Sequence, residues 1–187
     1  MRRFTPIRTE RLVLEKLEIC HLEGLHVYRS RDEVRRYQHY DYRNIQDAAG
    51  FLEDLASAPD LPGTWFQLAL CLKEDGKIIG DMGLHFLEDG AQVEVGYTLD
   101  PDFQGKGYAT EALTGVLDYL FFDLGKHRVT ASLDPENRDS ERLLMRTGFR
   151  REGLFRKSLL EHGQWVDDLI YGILEEEWFT KRRGRMK

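Results

Sequence analysis

Cysteine is scarce in this chain. Cys20 and Cys71 are the only two, widely separated and without a C-x-x-C pair, so neither a disulfide framework nor a thiolate zinc site is expected, and both read as small core or near-surface residues. Long apolar runs are missing too. No stretch approaches the roughly eighteen residues that a membrane-spanning helix needs, so no membrane association is expected. The basic start Met1-Arg2-Arg3 leads into Arg8, Glu10 and Arg11 rather than an apolar segment, which does not read as a secretory signal and makes a cytoplasmic protein the expectation. A surplus of positive charge is also lacking. The net charge of −6 disfavours a nucleic-acid binder, because phosphate affinity comes from clustered Lys and Arg. There are no repeats, low-complexity tracts or Ser/Gly linkers, and the most loop-like stretch, Ser57 to Gly63, is too short to separate domains. At 187 residues, 41% hydrophobic and 32% charged, a single globular domain over 1–187 is expected, with a core from about 7 to 178 and a basic, solvated tail over 179–187. That tail concentrates five basic side chains in the last seven positions and leaves the body before it still more acidic, which favours cationic partners by electrostatic steering.

What is present is a steady alternation of elements. Arg11 to Leu17 reads as a strand, Glu18 to Tyr28 and Ile45 to Ala56 as helices, and the aromatic stretch Tyr37 to Tyr42 between them as a loop. Strands are expected at Thr64–Leu72, Lys77–Phe86 and Ala91–Leu99, with Glu74-Asp75-Gly76 and Glu88-Asp89-Gly90 as hairpin turns. From Ala109 the apolar positions Ala112, Leu113, Val116, Leu117, Leu120 and Phe121 keep helical spacing up to Gly125. A strand at Arg128–Leu133, a short helix at Ser140–Arg146 and two last strands, Phe149–Glu161 and Trp165–Leu174, complete the order β-α-α-β-β-β-α-β-α-β-β. This is an α+β pattern: a mixed, mostly antiparallel central sheet with helices on both faces.

The chemistry-bearing stretch is Val93 to Thr110, where a strand feeds the turn Gln104-Gly105-Lys106-Gly107 and the strongest helix. Glycine permits positive φ and a close backbone approach to a ligand, and the unpaired N–H groups of the helix's first turn point outward, which suits phosphate oxygens. The turn matches neither the Walker pattern nor G-x-G-x-x-G, so a nucleoside triphosphate or dinucleotide is disfavoured. Taken alone, the glycines are equally explained as a tight strand-to-helix turn.

The segment Gln104-Gly105-Lys106-Gly107-Tyr108-Ala109 resembles the Q/R-x-x-G-x-G/A pyrophosphate loop of the GNAT acyltransferases, and Val93 to Tyr97 resembles the strand before it. Asn137-Arg138-Asp139-Ser140 with Gly148-Phe149 is similar to the second signature of that superfamily, N-x-x-S/A…G-F. The opening Ile7 to Leu14 and the closing Gly163 to Asp168 resemble the branch that contains the ribosomal-protein alanine N-terminal acetyltransferases. The resemblance spans about Ile7 to Trp178. It implies the GNAT acyl-CoA N-acyltransferase fold and acetyl transfer from acetyl-CoA to a primary amine, by direct attack through a tetrahedral intermediate and without a metal. By the same resemblance, the cofactor lies in a V-shaped gap between the strand ending near Leu99 and the strand from Arg128. The backbone of Tyr97, Thr98 and Leu99 pairs with the pantetheine arm, and Gln104, Gly105, Lys106, Gly107, Tyr108, Ala109 and Thr110 surround the pyrophosphate. Homodimers are common in the branch.

A protonated alkylamine must lose a proton before it attacks. Glu94, on the strand leading into the loop, is the first candidate base. His85 on the preceding strand is the alternative and a substrate-side residue. Each also reads as an ordinary exposed or structural residue. For the leaving thiolate the family often supplies a tyrosine seven residues after the asparagine, and here that position is Leu144. The resemblance moves the role to Ser140, which otherwise reads as a helix cap. Asn137 is assigned to the pantetheine arm or an ordered water, with a helix cap again as the alternative. On the acceptor side Tyr37, Tyr40 and Trp165 could hold a cationic amine over aromatic faces, although packed loops and cross-strand pairs also account for them. The acceptor is left between a protein N-terminus and a small amine. Two rivals stay open: an acyl-CoA-binding module without turnover, and an acyltransferase with a larger donor such as succinyl-CoA.

Overall fold

The computed structural model describes residues 4–37, 44–161 and 163–184. Eight strands form one sheet: β1 (Ile7–Arg8), β2 (Leu12–Lys16), β3 (Thr64–Leu72), β4 (Ile78–Phe86), β5 (Gln92–Leu99), β6 (Arg128–Leu133), β7 (Arg150–Glu161) and β8 (Gln164–Leu174). Their spatial order is β1-β2-β3-β4-β5-β6-β8-β7. All neighbours are antiparallel except β5 and β6. The β3–β4 and β4–β5 hairpins close on Gly76 and Gly90 at φ 74° and 67°. The Asp75 and Asp89 carboxylates accept backbone N–H groups just beyond each turn, the side-chain chemistry that makes Asp-Gly a turn former.

Alternation along the strands fills one face of the sheet. Leu12, Leu14, Phe66, Leu68, Met82, Leu84, Val93 and Val95 pack there against Ala112, Leu113, Val116 and Leu117 of α4 (Tyr108–Asp118) and Leu143 and Leu144 of α5 (Arg138–Thr147). On the other face Leu17, Ala69 and Cys71 meet Leu22, Leu25 and Tyr28 of α1 (Leu22–Arg29) and Ala48 of a further helix over Ile45–Glu53. Helices on both faces explain why β3 reads as a nearly continuous apolar run. The buried Asp81 on this second face is held by Tyr28, Arg29 and Gln67, so α1 is fastened to β4 by a satisfied carboxylate.

Three elements escaped the sequence pattern. β1 is two residues long, and α2 (Asp32–Arg35) is a single turn. We number the Ile45–Glu53 helix α3. The expected solvated tail is corrected as far as Gly184, because Glu175–Gly184 forms a sixth helix, α6. Trp178 of that helix is 1% exposed and its indole N–H donates to Asp118 Oδ1 at 3.0 Å. Arg182 reaches Asp118 Oδ2 at 2.8 Å, and Lys181 donates to the Arg146 carbonyl at 2.9 Å. A buried aromatic anchor outweighs the charge run that suggested fraying. The α6 basic residues also sit at its C-terminal end, where the helix dipole favours them.

Candidate active site

The parallel pair holds for only three steps, Gln92 to Glu94 opposite Arg128 to Thr130. Beyond it β5 stays with β4 as far as Leu99, and β6 stays with β8 as far as Leu133. The two strands therefore diverge, and the backbone edge of β5 from Val95 onward has no strand partner on that side among the described residues. A cavity of about 600 Å³ occupies the opening, with Tyr97, Thr98, Leu99, Asn137 and Ser140 in its wall. Its far end is the first turn of α4, where Gly105, Gly107, Tyr108, Ala109 and Thr110 line it.

That end is built with care. Asp100 starts a three-residue turn at Pro101–Phe103 by accepting the Asp102 N–H at 3.2 Å. Gly105 and Gly107 follow at φ 71° and 86°, Gly107 capping α4 in a left-handed conformation that lets the helix start abruptly. Arg11, just before β2, binds this corner from 100 residues away. Its guanidinium meets Glu111 Oε2 at 2.7 Å and donates to the Lys106 carbonyl at 3.0 Å, and it lies over the Tyr108 ring at 4.2 Å. Thr9 and the Arg11 N–H both donate to Glu111 Oε1 at 2.6 Å. Against the desolvation of its site, these bonds hold Glu111 below the usual carboxylate range. A lowered folded-state value stabilises the protein above the unfolded pKa near ~4.3 and is lost as pH falls through the folded one. Glu111→Gln should thus melt about 2–4 °C lower at pH 7 and show a shallower acid limb below about pH 4. An unchanged acid limb in a thermal-melt series would remove Glu111 from that balance.

The expected residues divide three ways. Tyr97, Thr98, Leu99, Gln104, Gly105, Gly107, Tyr108, Ala109, Thr110, Asn137, Ser140 and Tyr37 all line the cavity. Lys106 does not: its ammonium lies over the Phe103 ring at 5.1 Å, outside the wall. Trp165 is likewise set apart, 60% exposed and opposite Leu160 near the end of the β7–β8 hairpin. It lies outside the wall of this cavity. Tyr40 lies outside the described residues.

Glu94 and His85, two alternatives in sequence, also lie outside the cavity wall but are neighbours in space. They face each other in register, with His85 Nδ1 3.7 Å from Glu94 Oε2. Trp65, the β3 partner of His85, stacks on its ring at 4.8 Å and 8°. This row lies on the sheet face opposite the α4 core, the face to which Thr98 also belongs by alternation. One step on, the floor is Gly96, where an added Cβ would meet nothing within 4 Å, so no side chain covers the strand between Glu94 and Thr98. Farther across, Ser132 donates to the buried Asp168 at 2.5 Å.

The two helix-cap alternatives are also settled. Asn137 caps α5, its Oδ1 accepting the Ser140 N–H at 3.1 Å. The Ser140 hydroxyl does not cap: it lies 2.7 Å from the Tyr97 hydroxyl. Leu144 is fully buried in the core, so no polar group at that position faces the cavity.

The chain is similar to several known proteins. The family model described as an acetyltransferase (GNAT) domain matches residues 11–150. The chain belongs to the GNAT acetyltransferase family. Two curated relatives illustrate the range. An uncharacterized N-acetyltransferase of Bacillus subtilis, YnaD, is 31% identical over 92% of this chain and 98% of its own length. The [ribosomal protein uS5]-alanine N-acetyltransferase of Escherichia coli is 28% identical, with 94% of each chain covered. Among solved structures, a GNAT-family acetyltransferase from Bacillus anthracis superposes with a TM-score of 0.83 at 30% identity, covering 92% of this chain and 99% of its own. Spermidine N-acetyltransferase from Vibrio cholerae, solved in complex with CoA and spermine, shares the fold at a TM-score of 0.77 and 20% identity, covering 90% and 98%. As a GNAT member the chain is an N-acetyltransferase with the α+β fold of that family, and no helix among the described residues is long and apolar enough to cross a membrane.

Sequence reasoning missed Arg11 and the Tyr97 hydroxyl. Neither carries a local signal, since each acquires its role from a partner more than forty residues away. One cluster of potential metal ligands, Glu15, His21 and Cys71, occurs among the described residues. Hydrogen bonds account for it: His21 Nδ1 accepts the Glu18 N–H at 3.0 Å, which puts the proton of the neutral ring on Nε2, 3.1 Å from Glu15 Oε1. Burial, with Glu15 beside it, pushes the Cys71 thiol up to about 12.

Proposed function

We propose that the GNAT member described here uses acetyl-CoA to acetylate a primary amine by direct attack, in a cytoplasmic setting. The observation that carries this reading is the divergence of β5 from β6 onto the first turn of α4. The residues fit the group: an unpaired strand edge can add an extended arm by main-chain hydrogen bonds, and a helix start opened by two positive-φ glycines can hold phosphate oxygens. When bound, the acetyl thioester supplies an activated acyl group. In this reading the N–H groups from Gly105 to Thr110 hold the pyrophosphate, and β5 backbone from Tyr97 to Leu99 orients the pantetheine arm. A β5 N–H polarises the thioester carbonyl, where a preorganised donor acts on developing negative charge.

Glu94 then accepts the proton of the incoming ammonium, directly or through water over Gly96. His85 at 3.7 Å supports it, and the adjacent Trp65 gives a cation an aromatic wall. Ser140 faces the leaving sulfur from the opposite side of the gap. A carboxylate beside an aromatic ring suits a cationic acceptor, either a protein N-terminal amine or a small polyamine. The uS5-alanine enzyme and the spermine complex represent those two classes.

The test is thiol release from acetyl-CoA with peptides bearing free N-terminal Ala or Ser, polyamines, amino acids and aminoglycosides. We expect release that depends on one acceptor class. If acetyl-CoA raises the melting temperature while no acceptor elicits release, the transfer reading is wrong for these amines. Release with succinyl-CoA alone would replace the donor.

A further inference from the structure

We propose that Tyr97 is a positioning residue that fixes the Ser140 hydroxyl as a hydrogen-bond donor to the departing sulfur. The inference rests on the acetyl-CoA reading above and deepens it. Tyr97 reaches Ser140 from the neighbouring strand, with hydroxyl oxygens 2.7 Å apart and the Ser140 carbonyl 3.4 Å from the phenol. Among the described residues, both acceptors within reach of the phenol therefore belong to Ser140.

Either hydroxyl could donate in the short contact, and the surroundings decide which. If Ser140 donated to Tyr97, the phenol proton would be left with the long contact to the carbonyl, a poor bond for a largely buried group. If Tyr97 donates, the serine proton is free to turn into the cavity that both residues line. The Ser140 N–H is already committed to Asn137 at 3.1 Å, so the serine backbone is fixed while its hydroxyl is aimed by the phenol. Desolvation raises the Tyr97 pKa above that of an ordinary tyrosine. The phenol thus stays protonated, and a donor, throughout the neutral range. Leu144 is buried in the core and offers the sulfur no polar group, whereas Tyr97 and Ser140 line the cavity together with Asn137, Asp139 and Arg146.

In the step itself the amine nitrogen bonds to the acyl carbon and the carbon–sulfur bond breaks, its electron pair remaining on sulfur. The nitrogen gives up two protons on the way from ammonium to amide, one before attack and one after it, and each leaves through Glu94 to solvent. Ser140 donates a hydrogen bond to the sulfur and Tyr97 donates one to Ser140. The sulfur takes its proton from solvent, so neither hydroxyl undergoes a net change.

The experiment is a double-mutant cycle of Tyr97→Phe and Ser140→Ala on the full chain, read first without turnover. The pKa of the CoA thiol in the binary complex, followed by thiolate ultraviolet absorbance, should rise by about one unit in each single variant and no further in the double. With acetyl-CoA, kcat should fall about tenfold in each and the losses should not multiply, while KM for acetyl-CoA stays within about twofold. A Tyr97→Phe complex with the wild-type thiol pKa, or losses that multiply in the double variant, would overturn the proposal. Should Tyr97→Phe melt too low to assay, an unshifted thiol pKa in Ser140→Ala would overturn it by itself. Thermal stabilisation of the wild-type chain by CoA tests the underlying reading separately: if it is absent, the acetyl-CoA reading fails whatever the variants do.

Discussion

Glu94→Gln should turn over about a hundredfold more slowly than the wild-type chain at pH 7 while binding CoA with unchanged affinity. The substitution keeps the shape of the side chain on β5 and removes only its basicity. An alkylamine is mostly protonated at neutral pH, so the variant lacks the group that takes the proton when attack begins. As pH rises toward the pKa of the amine, the free base becomes abundant and the need for Glu94 diminishes. The defect should therefore shrink to a few-fold near pH 10, which distinguishes a lost base from a distorted site. His85 offers no full substitute: its Nδ1 is 3.7 Å from the carboxylate and its ring is pinned against Trp65. A pH–rate profile for Glu94→Gln parallel to that of the wild type would transfer the proton to another carrier.

Gly107→Val should weaken CoA binding about a hundredfold, measured by calorimetry. Two effects combine. The φ of 86° lies in the left-handed region, where a β-branched residue is strained by roughly 1–2 kcal/mol. The new side chain would also project toward the Arg11 guanidinium, 3.4 Å from its Cβ, and disturb the clamp that sets the first turn of α4. Gly105→Ala is the internal control, because a Cβ there meets nothing within 4 Å and only the φ of 71° resists it. Its loss of affinity should be about tenfold or less. Equal effects at the two positions would mean that backbone strain alone matters, and wild-type affinity in Gly107→Val would remove the loop from the site.

Much of this architecture is legible in the residues, for identifiable reasons. Thr64–Leu72 and Arg128–Leu133 have the expected limits because apolar runs flanked by Gly, Pro and Asp leave few alternatives. The α4 stripe from Ala112 onward predicts both the helix and the face it buries. The glycine turn and the Asn137–Ser140 spacing locate the cavity, since both lie within contiguous segments. What stays hidden depends on distant partners. Arg11 looks like any strand-flanking arginine until Glu111 and Lys106 arrive beside it. Tyr97 reads as a backbone contributor until α5 brings Ser140 to its hydroxyl. The α6 helix is masked by its own charge, its burial resting on one indole. Trp165, a conspicuous aromatic in its hairpin, lies outside the wall of this cavity.

The divergence of β5 and β6 also has a consequence for local stability. Among the described residues, amides on the open β5 edge have no strand partner across the gap, so solvent can exchange their hydrogens while the rest of the sheet stays protected. A ligand that fills the gap completes that hydrogen bonding and adds its binding energy to the folded state alone. Deuterium uptake over Val95 to Leu99 should therefore fall sharply with CoA, while uptake at the β3–β4 hairpin stays as it was. In this view the free protein carries a seam in its sheet that is finished only when the donor is in place, and cofactor supply would also govern how long the chain resists unfolding.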